Sequence, residues 1–302
     1  MYEKFFGLEQ KPFGLTPNTS LYFGLPPHEE AVQVLEEALR EGEGFIKITG
    51  EVGTGKTMVL RLFLSRLTDD FELVYIPNPV LSPDEFKISI ARELDIDTAN
   101  CTTLSLNDDI NRKLLEIHAA GRRTVLVIDE VQSISEDTLE AIRLLGNLET
   151  EHDKIIQIVL FGQPELDEML DKQNLRQLRQ RIAFSYNLRP LTADETEAYL
   201  NYRMLKSGYS GKAVFGRRPA RDIFRYSGGI PRLINVIANK SLMLAYGYGV
   251  HGVSCSMVKE AALDTVSVKK KKRPGLPLYI GLAAFLLLAA LGGLVFASGV
   301  FE

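Results

Sequence analysis

The clearest chemical signal in this sequence is the octapeptide GEVGTGKT, which runs from Gly50 to Thr57. It fits the pattern G-x-x-x-x-G-K-[ST], directly follows the apolar run FIKIT and precedes the helical stretch MVLRLFLSRL. Glycines allow backbone N–H groups to curl around phosphate oxygens, and the helix that follows adds the positive end of its dipole. Lys56 is then expected to reach the β- and γ-phosphates, and the Thr57 hydroxyl to bind Mg²⁺. The alternative, a plain glycine-rich turn, is disfavoured by the strand–turn–helix context.

A pair of acids follows a second apolar run, TVLVIDE, which ends in Asp129 and Glu130. A run of buried β-formers carries such acids to the carboxyl edge of a sheet, beside the phosphates. Asp129 is predicted to complete the coordination of Mg²⁺, and Glu130 to orient the attacking water or accept its proton. Such a pair is often only a solvated strand end, but the phosphate loop upstream favours the catalytic interpretation. The predicted nucleotide-binding residues are Gly50, Glu51, Val52, Gly53, Thr54, Gly55, Lys56, Thr57, Met58 and Asp129.

Short apolar runs alternate with helical stretches over most of the chain. Helical spacing is clear at 28–41, and Ser82-Pro83-Asp84-Glu85 is a capping box with proline in the first turn. Continuously apolar strands separated by helices imply a parallel sheet covered on both faces. We therefore predict a three-layer α/β domain over residues 1–190, in which 1–27 form an ordered lead-in rich in Phe, Pro and Gly. The predicted strands are FIKIT (45–49), FELVYI (71–76), TVLVID (124–129) and IIQIVLFG (155–162).

Strand signals stop after about residue 190. Thr192-Ala193-Asp194-Glu195 forms a second capping box, and helical patterns continue to about Val266. We predict a smaller, all-helical domain over residues 191–266. The opening MYEKFFGLEQ has no basic region followed by an apolar run, which disfavours a cleavable export signal.

The C-terminal segment combines a basic cluster with a long apolar run. Lys269 to Arg273 are all basic, and no residue from Leu278 to Phe301 is charged. As a helix this run would be roughly 36 Å long, enough for a hydrocarbon core of about 30 Å, whereas a buried core helix is rarely so long. We predict a basic linker at 267–277 and a transmembrane helix at 278–299. The positive-inside bias predicts a single pass through the inner membrane, with the α/β domain in the cytoplasm.

Charge and cysteine content narrow the possible partners. The chain has a formal charge of −4, and residues 1–268 hold 30 basic and 38 acidic residues once the basic cluster and Glu302 are set aside. A duplex-binding domain usually has a basic surplus, so nucleic acid is disfavoured as a partner. Cys101 and Cys255 lie far apart without metal-ligand spacing, and neither His28 nor the other histidines show such spacing, so no structural metal is expected.

In the order of its motifs, the chain resembles the AAA+ ATPases, and more narrowly those of the general secretion pathway protein A (ExeA) type. The resemblance covers about residues 1–265. It is carried by FFGL…KPFGLTPN, EGFIKITGEVGTGKT, VLVIDEVQ, LFGQPEL, LRQRI and SGGIPRLIN. The family implies a five-stranded parallel sheet, a helical lid, and ATP with Mg²⁺ bound between neighbouring subunits of a homo-oligomer such as a hexamer.

The resemblance also implies roles for three further residues. Gln163 in LFGQPEL occupies the place of the γ-phosphate sensor, although it could instead cap the helix that follows. Arg181 matches the register of an arginine finger that acts on the neighbouring subunit, with Arg179 and Arg176 as alternatives; a solvated helix end is the competing interpretation. Arg232 in SGGIPRLIN corresponds to the second sensor, which points from the lid towards the γ-phosphate. Adenine is expected near Phe23 to Pro27.

The expected function is that of a membrane-anchored ATPase that drives assembly of a pilus or a type II-like secretion apparatus, with proteins of that apparatus as partners. Two alternatives stay open. One is a DNA-linked regulator of the transposition or origin type, against which the anchor and the acidic balance stand. The other is a nucleotide-dependent scaffold with little turnover, which the presence of Glu130 and the candidate arginines disfavours.

Overall fold

The computed structural model describes residues 1–16, 21–98, 103–150 and 153–265, which lie within one compact unit, Met1–Val266. The strands are β1 (Phe45–Thr49), β2 (Phe71–Ile76), β3 (Arg123–Ile128), β4 (Ile156–Gly162) and β5 (Ile182–Asn187). The helices are α1 (Tyr2–Phe6), α2 (Pro26–Arg40), α3 (Lys56–Arg66), α4 (Pro83–Glu93), α5 (Thr103–Ala119), α6 (Glu136–Leu145), α7 (Glu165–Leu170), α8 (Arg176–Arg181), α9 (Ala193–Lys206), α10 (Arg217–Ser227), α11 (Pro231–Gly247) and α12 (Cys255–Leu263). Single 3₁₀ turns occur at Val131–Ser133 and Gln173–Leu175.

The five strands form one parallel sheet in the order β2-β3-β4-β1-β5. Because all strands run the same way, their carboxyl ends meet along one edge of the sheet. The segments after β1, β3 and β4 carry all the predicted site residues except Arg181 and Arg232, and these three strands lie side by side. The topology therefore brings separate stretches of sequence to one edge, which is where ligands bind in open parallel sheets.

Alternate residues of the central strands face two separate apolar layers. In β3, Leu126 and Ile128 join the cluster formed with α4, α5 and α6. Val125 and Val127 join the cluster formed with α2 and α3 on the other face. Both faces of β3 are therefore buried, which is why its sequence is continuously apolar. The predicted three-layer α/β arrangement with a five-stranded parallel sheet is confirmed.

Several element bounds differ slightly from the prediction. FIKIT and FELVYI match β1 and β2 fully, whereas β3 covers 123–128 rather than 124–129 and β4 begins at Ile156 rather than at 155. The helix predicted at 28–41 is α2, which begins two residues earlier because Pro26 is well suited to a first helical turn. Both predicted capping boxes are present. The lead-in contains the short helix α1, which no sequence pattern indicated.

Hydrogen bonds join the lead-in, residues 1–27, to α9, the first helix of the helical part. The side chain of Arg203 is buried, and its Nε donates to the carbonyl oxygen of Pro12 at 2.6 Å. Its Nη1 donates to the carbonyl oxygen of Leu21 at 3.5 Å, and the Tyr202 hydroxyl donates to that of Tyr22 at 2.9 Å. A buried guanidinium requires such acceptors, since its desolvation is otherwise costly. The lead-in therefore packs on α9 as part of the same structure.

The predicted basic linker at 267–277 and the transmembrane helix at 278–299 lie outside the described residues, as does Cys101. Across the described ranges, no helix combines the length and the apolar character that a membrane crossing requires. Beyond Asn187 the described elements are all helical, from α9 to α12. The division into domains at residue 190 stays a prediction.

The contact between Arg203 and the lead-in can be tested by stability. Arg203→Met keeps much of the side-chain volume but removes the charged donors, so the free energy of unfolding should fall by about 2 kcal/mol. Urea denaturation followed by circular dichroism measures this change. Arg217→Met on α10 is the matched control, because Arg217 is exposed and its loss should change the free energy by less than about 0.5 kcal/mol. Equal effects of the two substitutions would contradict the role of Arg203.

Candidate nucleotide-binding site

The loop between β1 and α3 depends on two glycines. Gly53 and Gly55 have φ values of 86° and 107°, a region that L side chains rarely adopt. Steric crowding also leaves no room for a side chain at either position. A Cβ on Gly55 would lie 2.5 Å from Nε2 of His28, and one on Gly53 would lie 2.7 Å from Cβ of Arg232. The two glycines thus let the loop turn tightly while α2 and α11 pack against it.

Lys56 is the first residue of α3 and is 7% exposed. Its Nζ donates to the carbonyl oxygens of Gly50 at 2.6 Å and Glu51 at 3.2 Å. Burial lowers the pKa of the Lys56 ammonium, and the nearby carboxylates of Glu130 and Asp129 counteract this effect. The lysine is therefore held across the loop with its charge close to the predicted catalytic acid, Glu130, and to the predicted magnesium ligand, Asp129.

The two acids lie just beyond the end of β3. Asp129 is 8% exposed, and its backbone N–H donates to the carbonyl oxygen of Ile76 at 3.1 Å. Burial raises the pKa of the Asp129 carboxyl, whereas the N–H of Glu130, which donates to Oδ1 at 2.9 Å, opposes the rise. Glu130 has a φ of 52°, in the left-handed region where a non-glycine residue costs conformational energy. This backbone conformation ends the strand and starts the turn Val131–Ser133.

A hydrogen-bond network joins Glu130 to the end of β4. Oε2 of Glu130 accepts from Nε2 of Gln132 at 2.5 Å and from Nε2 of Gln163 at 3.1 Å. Oε1 of Gln132 accepts from the backbone N–H of Gln163 at 2.9 Å. The side chain of Gln163 therefore contacts the predicted catalytic acid, and it makes no capping bond to α7, whose N-cap is Pro164. Gln132 is the last residue of the motif VLVIDEVQ, but the sequence analysis assigned it no role.

These residues surround a cavity of about 360 Å³. Its wall contains nine of the predicted site residues: Val52, Gly53, Gly55, Lys56, Thr57, Met58, Glu130, Gln163 and Arg232. Four others, Gly50, Glu51, Thr54 and Asp129, lie within two residues of a wall residue in the sequence but are not part of the wall. Phe23 and Leu25, from the segment expected to hold adenine, also line the cavity.

Arg232 reaches the cavity because α11 docks on the phosphate loop. Pro231 occupies the first turn of α11, and the backbone N–H of Arg232 donates to the carbonyl oxygen of Gly53 at 3.1 Å. The Arg232 residue is exposed. The helical part of the chain thus contacts the loop directly, and its arginine faces the same space as Lys56.

Three polar residues of the helical part line the cavity without having been predicted as site residues: Tyr199, Arg203 and Asn235. The Tyr199 hydroxyl donates to Oδ1 of Asn235 at 2.8 Å, and Nδ2 of Asn235 approaches the carbonyl oxygen of Gly14 at 3.4 Å. In the sequence these residues are ordinary members of amphipathic helices. Only their packing on the lead-in brings them to the cavity.

His28, on α2, is another wall residue that the sequence did not indicate. It is 4% exposed, and burial lowers the pKa of its imidazole. The neutral ring donates from Nε2 to the carbonyl oxygen of Thr54 at 2.9 Å, and it stacks on Tyr22 with the ring centroids 6.1 Å apart. His28 therefore fixes a carbonyl of the phosphate loop from the side of α2.

The candidate arginine fingers do not line the cavity of their own chain. Arg179 forms an ion pair with Asp171 at 2.5 Å, and Nη1 of Arg181 donates to the carbonyl oxygen of Arg143 at 3.3 Å. Arg176, the third candidate, is exposed, as are the other two. All three residues are on α8, which directly precedes the edge strand β5.

The side chains around Lys56 fit a magnesium ion chemically. Thr57 offers an exposed hydroxyl, and Asp129 has one carboxylate oxygen that no described residue contacts by a hydrogen bond. Hard oxygen donors of this kind are the ligands that Mg²⁺ prefers, usually together with phosphate oxygens. Thr57 and Asp129 are thus the residues that would hold the ion.

Comparison with known proteins agrees with this geometry. A family model described as an AAA domain matches residues 39–170. General secretion pathway protein A from Aeromonas hydrophila is 39% identical over 290 residues, which cover 96% of this chain and 53% of that protein. The chain therefore spans about half the length of this relative.

Solved structures share the fold at low sequence identity. Cdc6p from Pyrobaculum aerophilum has a TM-score of 0.61 at 21% identity, covering 82% of this chain and 69% of that one. The ORC1 protein of Aeropyrum pernix in complex with DNA has a TM-score of 0.60 at 16% identity, covering 84% and 69%. The Walker-type ATPase paby2304 of Pyrococcus abyssi has a TM-score of 0.55 at 17% identity, covering 95% and 80%. At these identities the likeness concerns the fold alone.

The AAA-domain match includes the loop of Lys56, the acids after β3 and the end of β4 that carries Gln163. The identity to general secretion pathway protein A extends over nearly the whole chain, helical part included. The resemblance inferred from the sequence motifs is therefore confirmed. The chain contains an AAA domain with the P-loop fold and is related over nearly its whole length to general secretion pathway protein A.

Proposed function

We propose that this protein binds Mg-ATP in the cavity above the sheet and hydrolyses it to drive assembly of a pilus or a secretion apparatus at the inner membrane. One observation carries the enzymatic part of the proposal. Lys56, Thr57, Glu130, Gln163 and Arg232 come from four separate stretches of sequence, and all five line the same cavity. A cation, a hydroxyl, a carboxylate, an amide and a second cation are the groups that phosphoryl transfer requires.

The proposed reaction is an in-line attack of water on the γ-phosphorus. The oxygen of water bonds to phosphorus, the bond between phosphorus and the β–γ bridging oxygen breaks, and ADP leaves. Glu130 accepts the proton that the water gives up, while Lys56 and Arg232 balance negative charge on the phosphate oxygens. Mg²⁺, held by Thr57 and Asp129, would neutralise part of the same charge.

The proposal includes a homo-oligomer in which Arg181 serves the site of the next subunit. Its exposure on α8, away from the cavity of its own chain, supports a role in trans. A guanidinium beside the transferring phosphoryl group would stabilise the transition state. Arg179 is the alternative finger, although its ion pair with Asp171 would first have to break.

Two observations support the proposed membrane anchor and the proposed role in assembly of a pilus or a secretion apparatus. The basic cluster Lys269 to Arg273 and the uncharged run from Leu278 to Phe301 suit a single-pass anchor. The relative in Aeromonas hydrophila is called a general secretion pathway protein. The partners would accordingly be proteins of a secretion or pilus apparatus, which nucleotide-dependent movement of the lid would act upon.

Two single substitutions are expected to affect ATP binding and ATP hydrolysis differently. Lys56→Ala should abolish ATP binding, because the loop loses the cation that reaches the phosphates. Glu130→Gln should keep ATP binding but lower the turnover number by at least about 100-fold, because an amide does not accept the proton. Equilibrium dialysis with labelled ATP and a phosphate-release assay measure the two effects. Normal turnover in Glu130→Gln would show that Glu130 is not the base.

The finger in trans is expected to show complementation between inactive variants. Arg181→Ala should lose about a thousandfold or more in turnover while keeping its own site intact. Mixing it with Glu130→Gln should restore activity, because the second variant supplies a finger to the intact site of the first. Arg179→Ala, tested in the same mixture, is the matched comparison. Failure of the Arg181→Ala mixture to recover would contradict a finger at this position.

The anchor is tested by cell fractionation. The full chain should sediment with membranes and resist extraction by carbonate, whereas a chain ending at Val266 should remain in the supernatant, because the uncharged run would be absent. Replacing Lys269 to Arg273 by glutamine is the control, since it keeps the apolar run. Soluble full-length protein would rule out the anchor.

A further inference from the structure

The amide of Gln132 has a fixed orientation between two different partners. The backbone N–H of Gln163 can only donate, so the atom of Gln132 that faces it at 2.9 Å must be the oxygen, Oε1. The nitrogen, Nε2, then faces Oε2 of Glu130 at 2.5 Å. Reversing the amide would place two donors opposite each other at one end and two acceptors at the other. The chemistry of the neighbours, rather than a choice of rotamer, therefore makes Gln132 a donor to Glu130.

The two carboxylate oxygens of Glu130 have different surroundings. Oε2 accepts from both Gln132 and Gln163. No described residue donates to Oε1, and Glu130 lines the nucleotide cavity. Two N–H donors on one oxygen restrict rotation of the carboxylate, so the other oxygen is the one left to accept a proton.

The two donors depend on nucleotide in different ways. Gln163 belongs to the predicted γ-phosphate sensor, so its side chain has a competing acceptor once ATP is bound. Gln132 has no such competitor in the described contacts, because its oxygen is tied to the backbone at the end of β4. It is also part of the short turn Val131–Ser133 that directly follows Glu130. Gln132 is therefore the donor that can stay on Glu130 throughout the reaction.

We infer that Gln132 is a positioning residue for hydrolysis: it holds Oε2 of Glu130 so that Oε1 remains available to the attacking water. The inference rests on the proposed ATPase function. It assigns to a side-chain amide the part that a third group plays in other sites where a base must be oriented. In metal sites, loss of a contact that orients a ligand typically costs about 10–100-fold in affinity or activity, and we expect a factor of this size for Gln132.

The test uses the full chain in detergent, with Gln132→Met, Gln132→Glu and Ser133→Ala. Gln132→Met keeps the length of the side chain without its hydrogen bonds. Gln132→Glu keeps an acceptor for the N–H of Gln163 but places an oxygen opposite Glu130. The control residue, Ser133, lies in the same turn with an exposed side chain.

Both Gln132 variants should lower kcat by about 10–100-fold, while the Kd for ATP stays within about twofold of wild type. Ser133→Ala should match wild type in both quantities. In a Glu130→Gln background, Gln132→Met should cause no further loss, because the two residues act as one unit. Additive losses would show that Gln132 acts independently of Glu130.

Four other outcomes would overturn the inference. Wild-type kcat in both Gln132 variants would show that the contact has no role in turnover, and increased kcat would show that Gln132 restrains Glu130 instead. A parallel loss of ATP affinity and of unfolding free energy would make Gln132 a structural residue. If the wild-type protein does not hydrolyse ATP, both the proposed ATPase function and the role of Gln132 are wrong. If the wild-type protein hydrolyses ATP and the Gln132 variants do so equally well, only the role of Gln132 is wrong.

Discussion

The alignment of three parallel strands is the constraint on which the site depends. β4 lies between β3 and β1, so the residue after β4 falls between the acids after β3 and the phosphate loop after β1. Gln163 consequently contacts Glu130, and both share a cavity wall with Lys56. A different strand order would place the same motifs at the same edge without bringing Gln163 between them. The order of the strands thus sets the distances among site residues that are far apart in the sequence.

The features that sequence patterns predicted are those with a local physical cause. The phosphate loop requires glycines because two of its residues adopt positive φ values, and each capping box satisfies N–H groups within four residues. β3 could be predicted from a continuous apolar run because both of its faces are buried. β5 is an edge strand with alternating exposure, so its sequence, IAFSYN, gives a weaker signal, and it was expected only through the family resemblance.

What the sequence did not reveal depends on contacts between distant segments. Arg203 resembles any arginine on a polar helix face, yet it is buried because the carbonyl oxygens of Pro12 and Leu21 satisfy it. His28 had no ligand spacing and was set aside, yet it supports the phosphate loop through Thr54. Gln132 ends the motif VLVIDEVQ, but the motif does not show that its side chain contacts Gln163. No local pattern specifies such partners, because each exists only after the lead-in, the sheet and the helical part have come together.

The packing of the first helix also has a consequence for folding during synthesis. The Tyr2 hydroxyl donates to Oδ1 of Asn239 at 2.5 Å, and Phe5 stacks on His251 with the ring centroids 4.3 Å apart. The ribosome adds these partners more than two hundred residues after α1, so α1 lacks its native contacts until then. Contacts of such long sequence separation slow folding, because a large loop has to close before they form. All five strands precede α9 in the chain, but the wall of the cavity is complete only after α9 and α11 have emerged.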